Sequence, residues 1–115
     1  MDSTTAVTLK ALDGLSTRAA VAAENIANAS TQGYKPRRVT FEQALQQAAG
    51  KGAAAVQSVK AQIGVDTGRE AFGGSGPRID LDLADSASAS ARYGALVELL
   101  SRQMQLTDMA MTEGR

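Results

Sequence analysis

The stretch ENIANASTQGYKPRRVTFEQAL, residues 24–45, marks the end of one helix and the start of another. Five of its residues suit helix caps and turns: Asn25, Asn28, Ser30, Thr31 and Gly33. Asn and Gly tolerate the left-handed backbone conformation that commonly terminates a helix. Pro36 ends any helix before it, because its ring pushes Lys35 into an extended conformation. We therefore predict a helix that stops at this turn and an extended chain after it.

The residues after the turn are expected to form an arm that docks back onto the helix. Val39 and Phe41 alternate with the polar Thr40, which is typical of an extended segment with one apolar face. Thr40 and Gln43 have the spacing of a capping box. They predict a short helix from Phe41 to Ala49.

Residues 4–29, before the turn, are predicted to form one N-terminal helix. Its apolar seam has the alternating spacing of a coiled coil and consists of Leu12, Leu15, Ala19, Ala22, Ile26 and Ala29. Gly14 is expected to weaken this helix by about 1 kcal/mol relative to Ala. The alternative is an ordinary surface helix on a globular core, which is disfavoured because the chain offers little core for it to cover.

Residues 79–113 are predicted to form a second long helix. Its apolar stripe consists of Tyr93, Leu96, Val97, Leu100, Met104, Thr107 and Met111, and is widened by Leu99, Leu106 and Ala110. Either Asp80 or Asp82 could cap the start of this helix, and Gly114 suits its end. The methionines are interpreted as core filling and not as contacts to a cofactor.

Between the helices, residues 50–78 contain seven of the eleven glycines and show no lasting period. This segment is expected to be mobile in the free chain, with at most a weak helix from Ala53 to Ile63. The predicted fold is therefore mainly α and forms a single domain, residues 1–115. Its long amphipathic N- and C-terminal helices pair as an antiparallel, coiled-coil-like hairpin around an irregular Gly-rich middle (30–49 turn and arm, 50–78 flexible).

The composition indicates that this hairpin needs partners. The chain has 22 Ala and only 22 Leu, Ile, Val and Phe together, so its large apolar side chains are too few for a substantial core. Twelve basic residues balance twelve acidic ones, which argues against a nucleic-acid partner. We therefore expect the terminal helices to be completed by other chains, with low helicity in the free chain.

No catalytic or cofactor site is predicted. The chain has no Cys and no His, and it lacks metal-ligand spacing and a phosphate-binding Gly loop. Gly73, Gly74 and Gly76 are interpreted as a linker, and Asp80, Asp82 and Asp85 as helix caps and favourable partners of the helix dipole. The basic cluster Lys35, Arg37 and Arg38 is interpreted as a solvated turn, or else as a salt bridge to a neighbouring subunit. No cleaved secretory signal and no membrane-spanning run are visible.

The turn resembles the signature of the bacterial flagellar axial proteins, which are the rod, hook and filament-junction subunits. The matching residues are Asn25-Ile26-Ala27-Asn28, Thr31 and Gly33-Tyr34-Lys35. Within that family, Arg38, Val39, Phe41, Gln43 and Leu45 look most like the proximal rod proteins, as does Asp80-Leu81-Asp82 followed by Tyr93. Gln32 departs from the Pro that is usual there, and Ala84 to Ala91 replaces a stretch that usually contains Glu, Met and Asn.

The resemblance implies roles for individual residues. Asn25 and Asn28 would satisfy backbone groups at the helix end, Gly33 would adopt a positive φ, and Tyr34 and Phe41 would anchor the arm. The residues of the assembly interface would be Leu12, Leu15, Ile26, Tyr93, Leu96, Val97, Leu100, Met104 and Met111. Replacing Leu100 or Ile26 by Asp is then expected to abolish assembly.

The implied function is a non-enzymatic structural subunit of the rod, without cofactor, metal or small-molecule substrate. It would be exported through the flagellar type III apparatus without a cleaved signal to the periplasmic part of the basal body. Its partners would be other rod subunits, copies of itself, and basal-body and export-gate proteins. The alternatives are another rod subunit, a non-catalytic helical adaptor of the export apparatus, and a wall-cleaving enzyme, for which no suitably spaced acids are seen.

Overall fold

The computed structural model describes residues 2–67 and 78–113 of the chain. Two long helices dominate it: α1, Ser3–Ala27, and α4, Ile79–Glu113. Between them lie strand β1, Arg37–Thr40, helix α2, Glu42–Ala49, helix α3, Ala53–Gln57, and strand β2, Gln62–Val65. The predicted fold class, mainly α with long terminal helices that pack together, is confirmed.

The helices α1 and α4 run antiparallel. Asn25, near the end of α1, contacts Asp82 near the start of α4, and Thr5 at the other end of α1 contacts Gln103. The residues of α4 that are buried or half-buried follow one another at spacings of three, four or seven: Asp82, Ser86, Ala89, Leu96, Leu100 and Gln103. That spacing keeps one seam of α4 against α1, as in a coiled coil.

The helix α4 is longer than its partner. It has 35 residues against 25 in α1, and it continues beyond the contact between Thr5 and Gln103 to Glu113. The molecule is accordingly elongated, with extents of 63 × 25 × 19 Å. We call residues 104–113 the C-terminal overhang.

The core lies between α1 and the segment that joins the two long helices, and Ala89 of α4 belongs to the same buried cluster. Val39 and Phe41 of the arm, Leu45 of α2 and Val56 of α3 are buried against Leu15 and its neighbours on α1. The predicted docking of the arm through Val39 and Phe41, with Thr40 exposed, agrees with this arrangement. The α1 seam at Leu12, Leu15 and Ala22 is thus covered largely by the chain itself.

The described part of the Gly-rich middle, residues 50–67, is more ordered than its composition predicts. Helix occupies only Ala53–Gln57 of the weak helix expected from Ala53 to Ile63, and Gln62–Val65 form a strand instead. This strand pairs antiparallel with β1, from Arg37 opposite Val65 to Thr40 opposite Gln62. The expected linker glycines Gly73, Gly74 and Gly76 lie outside the described residues, as does Gly114.

Two local predictions about helix starts are wrong. The helix α2 begins at Glu42, with Phe41 at its N-cap and no side-chain cap, so Thr40 and Gln43 form no capping box. At α4, neither Asp80 nor Asp82 precedes the helix as a cap, because both already lie in its first turn. Asp80 pairs with Arg78, and Asp82 faces α1.

Gly14 is required by the packing and is not a defect of α1. A Cβ atom at this position would lie 2.6 Å from three ring carbons of Phe41. The absence of a side chain therefore lets the Phe41 ring lie directly on the helix backbone. The intrinsic cost of glycine in a helix is offset here by the burial of an aromatic ring.

Replacing Gly14 by Ala is expected to lower the free energy of unfolding by about 1–3 kcal/mol, because the Phe41 ring must move out of its site. The matched control is Gly94→Ala in α4, where an added Cβ meets nothing within 4 Å. That variant is expected to stabilise the chain by about 0.5–1 kcal/mol. Urea unfolding followed by circular dichroism measures both, and stabilisation by Gly14→Ala would contradict the packing argument.

Candidate assembly site

The turn is organised around the buried side chain of Asn25, which is 3% exposed. Its amide nitrogen donates to the backbone oxygen of Arg37 at 2.8 Å and to Oδ1 of Asp82 at 3.2 Å. Its amide oxygen accepts from the Tyr34 hydroxyl at 2.9 Å and from the Arg37 backbone N–H at 3.0 Å. An amide side chain offers two donors and two acceptor sites, and all four are used.

These four bonds join separate parts of the chain. Arg37 is the first residue of β1, Tyr34 lies in the turn, and Asp82 belongs to α4. Asn25 therefore does not satisfy backbone groups at the end of its own helix, as the resemblance implied. It satisfies the backbone of the arm and fixes the position of α4 against α1.

Asp82 is the functional residue that the sequence analysis missed. Its side chain is 1% exposed, and the sequence alone suggested a helix cap. The available signal was the seven-residue spacing from Asp82 through Ala89 and Leu96 to Gln103, which assigns it to the seam that faces α1. Its hydrogen bond to Asn25 spans 57 positions and could not be derived from local patterns.

The other residues of the turn hold its shape. The amide of Asn28 donates to the Glu24 backbone oxygen, and its oxygen accepts from the Thr31 hydroxyl at 3.2 Å. Gly33 has a φ of +82°, as predicted. Ile26 is half-buried and Ala27 is exposed.

Arg37 forms an ion pair with Glu24 of the same chain, so it is not simply a solvated residue of the basic cluster. Lys35 and Arg38 are exposed. The basic cluster therefore divides into one residue that fastens the arm to α1 and two that face solvent.

A second set of polar contacts, made by Arg18, joins α1 to the arm and to α2. The two terminal nitrogens of Arg18 donate to the two carboxylate oxygens of Glu42 at 2.7 and 2.6 Å. One of them also donates to the Val39 backbone oxygen, and the guanidinium lies 4.9 Å from the centre of the Phe41 ring. Bidentate pairing and ring stacking are both suited to the planar guanidinium.

The expected interface residues fall into two groups. Leu12 and Leu15 are buried within the chain, and Ile26, Leu96 and Leu100 are half-buried. By contrast, Tyr93, Val97, Met104 and Met111 are exposed, Met104 and Met111 by 64% and 62%. Among these expected interface residues, the exposed apolar side chains therefore all lie on α4, and the two methionines near its C-terminal end are more exposed than Tyr93 and Val97.

The described part of the chain shows no group of three or more acidic side chains that could hold a metal ion. Among residues 2–67 and 78–113, no helix combines the length and the apolar character needed to cross a bilayer. The candidate site therefore consists of the turn around Asn25 and the exposed apolar side chains of α4.

Replacing Asn25 by Ala is expected to cost about 3 kcal/mol or more, because each buried polar group left without its partner costs about 1–3 kcal/mol. The control, Asn28→Ala, removes an amide at the more exposed helix end and is expected to cost about 1 kcal/mol. Urea unfolding measures both. A double variant with Asp82→Ala should cost less than the sum of the two single variants, since both remove the same contact. Equal losses for Asn25→Ala and Asn28→Ala would refute the central role of Asn25.

The pair of Arg18 and Glu42 predicts a pH effect. Hydrogen bonding from Arg18 lowers the pKa of Glu42 below its ordinary value. A carboxyl group whose pKa is lower in the folded state stabilises the fold above its unfolded pKa of about 4.3, and this contribution is lost as the pH falls through the folded pKa.

The variant Glu42→Gln should therefore be less stable than the parent chain near pH 7, and the difference should vanish in acid. Urea unfolding at a series of pH values measures it, with Glu98→Gln in the exposed pair with Arg102 as the control. If Glu42→Gln remained less stable than the parent chain by the same amount in acid, the charge of Glu42 would not be what stabilises the contact.

Comparison with known proteins agrees with the geometry of the turn. Residues 7–35 match a family model described as flagella basal body rod protein. They cover α1 from its second turn and continue through Asn25, Gly33 and Tyr34 to the residue before Pro36. No curated protein matches the chain. The match covers 29 of the 115 residues, and this segment of the chain is similar to the flagellar basal body rod family.

Proposed function

We propose that this chain is a subunit of the proximal rod, of the FlgB type, that polymerises through its terminal helices at the base of the flagellar drive shaft. The observation that supports this most directly is the uncovered apolar surface of α4 in a chain whose α1 is already packed. Met104, Leu106, Met109 and Met111 of the overhang are each more than half exposed. Apolar side chains exposed together on one helix are typical of a surface that binds another protein.

The segment between the long helices supports the choice of a proximal subunit. In the family that the sequence resembles, hook and distal rod subunits have large inserted domains between the same two ends. Here the described part of that segment packs directly on α1 through β1, α2 and α3. Arg38, Val39, Phe41, Gln43 and Leu45, which look most like the proximal rod proteins, lie in this packed arm and in α2.

The mechanism is assembly from a subunit that is folded in part. The core around Asn25 and Phe41 gives each copy a fixed shape, while the exposed face of α4 is desolvated only when neighbours are present. Burial of that face contributes about 25 cal/mol for each Å² of apolar surface removed from water. We further propose export through the type III apparatus without a cleaved signal, a position in the periplasmic rod, and contacts with other rod subunits and the export gate.

The second candidate is a non-catalytic helical adaptor of the export apparatus. It is favoured by one observation, which is that the seam of α1 is buried within the chain as in a hairpin that closes on itself. An adaptor would function as a monomer and would be absent from purified basal bodies. A rod subunit would be present in them.

Replacing Met104 by Asp is expected to abolish incorporation into the rod, because a charge would enter a desolvated interface. Since Met104 is 64% exposed in the free chain, the helicity and stability of that chain should not change. The control is Gln105→Asp on the neighbouring exposed position. Incorporation is measured by immunoblotting of isolated basal bodies, and by swimming in soft agar when the variant replaces the parent gene. Normal incorporation of Met104→Asp would argue against polymerisation through α4.

A further inference from the structure

An open apolar groove of about 450 Å³ runs between α1, α2 and α4. Its apolar lining includes Val7, Ala11, Leu45, Ala49, Ala95 and Leu96. The groove follows α1 from Val7 to Leu15, a length of about 12 Å at 1.5 Å per residue. It lies on one flank of the helix pair, since Ala89, Ser90 and Tyr93 border a separate cleft on the opposite flank.

The overhang has matching dimensions and chemistry. Its ten residues form a helical segment about 15 Å long, comparable to the groove. Its exposed Met and Leu side chains are flexible and can adapt to an irregular apolar surface. Most of this segment extends beyond the start of α1, and none of the described helices lies beside it.

The two features are also complementary in charge. The overhang contains Asp108 and Glu113 and no basic residue. At the rim of the groove, Arg92 forms no ion pair with any residue in the described ranges, whereas Glu42 is already paired with Arg18. The rim therefore offers an uncommitted positive charge to an acidic helix.

A single copy cannot bring these two features together. The helix α4 contributes both the overhang and one wall of the groove, and the middle of the overhang lies about 20 Å from Leu96 along this continuous helix. We propose that the overhang of one copy occupies the groove of a second copy. This inference rests on the proposed function and specifies one contact of the polymer.

A contact of this kind is heterologous, because it joins two different surfaces of identical chains. Such contacts propagate into open helical polymers when the rotation between copies does not close a ring. The geometry is therefore suited to a subunit of a tube, and it leaves one groove and one overhang unoccupied at the ends of each stack.

Cross-linking of purified chains tests the contact, and the absence of native Cys makes it specific. One preparation has Ala95→Cys in the groove, and a second, of distinguishable mass, has Met109→Cys in the overhang. They are mixed at graded concentrations and treated with a short bis-maleimide. We expect a mixed adduct of the two masses that increases with concentration.

The matched control replaces Ala95→Cys by Ala87→Cys, an exposed alanine of the same helix about 12 Å from Ala95. We expect the mixed adduct to be lost in this pair. Equal adduct from both alanine positions, or none from either, would overturn the proposal.

A charge exchange provides a second criterion. Asp108→Arg in the overhang copy should reduce the mixed adduct, and Arg92→Glu in the groove copy should restore it. No restoration would overturn the predicted contact of Asp108 with Arg92.

These outcomes are separable from the proposed function, which is tested by incorporation into basal bodies. A chain that incorporates but gives no mixed adduct is a rod subunit whose groove is filled by something other than its own overhang. A chain that forms the adduct but is absent from basal bodies associates with itself outside the rod. In that case the proposed function fails and the contact remains.

Discussion

The fold depends on satisfying one buried amide. Asn25 lies inside the contact between α1 and α4, where an unpaired donor or acceptor would be costly. Its four hydrogen bonds can be made only if the chain turns back after α1, lays the start of β1 alongside it, and places Asp82 opposite. The turn, the arm and the register of the helix pair therefore depend on one another.

The second constraint is the scarcity of large apolar side chains. With as many alanines as Leu, Ile, Val and Phe together, the chain cannot build a core from aliphatic packing alone. Instead, the Phe41 ring packs directly on the backbone of Gly14, and the Arg18 guanidinium lies 4.9 Å from the centre of that ring. The bidentate pair of Arg18 and Glu42 then fixes α2 beside α1. The small core is thus supported by polar contacts with defined geometry.

Because of these constraints, the end of the helix pair near Asn25 and Asp82 is packed, and the end at the overhang is exposed. The part of α4 near Asp82 is held against α1 by the hydrogen bond with Asn25 and by the burial of Ala89, whereas most of the overhang has none of the described helices beside it. The expectation that both terminal helices need other chains therefore applies mainly to α4. The chain itself covers most of the α1 seam, and the requirement for a partner is concentrated on α4. In the proposed rod subunit, this arrangement would combine a rigid shape with a surface that is desolvated on assembly.

The sequence by itself determined the two long helices, the turn between Asn28 and Pro36, the positive φ of Gly33 and the docking of Val39 and Phe41. All of these follow from periodicity or from the steric properties of single residues, which act within a few positions along the chain. The turn motif also pointed to the flagellar rod family, with which residues 7–35 agree.

Only the tertiary structure decided what depends on distant residues. Taken alone, Gly14 lowers the stability of α1. In the folded chain it allows the ring of Phe41, 27 positions later, to pack on the helix backbone. Strand β2 has little local signal and forms because β1 offers it unpaired backbone groups. Asp82 looked like a cap because helix starts favour acids, but its carboxyl group faces Asn25 across the helix pair. Local propensity cannot specify such partners, since their energies arise from contacts that exist only after the chain has folded.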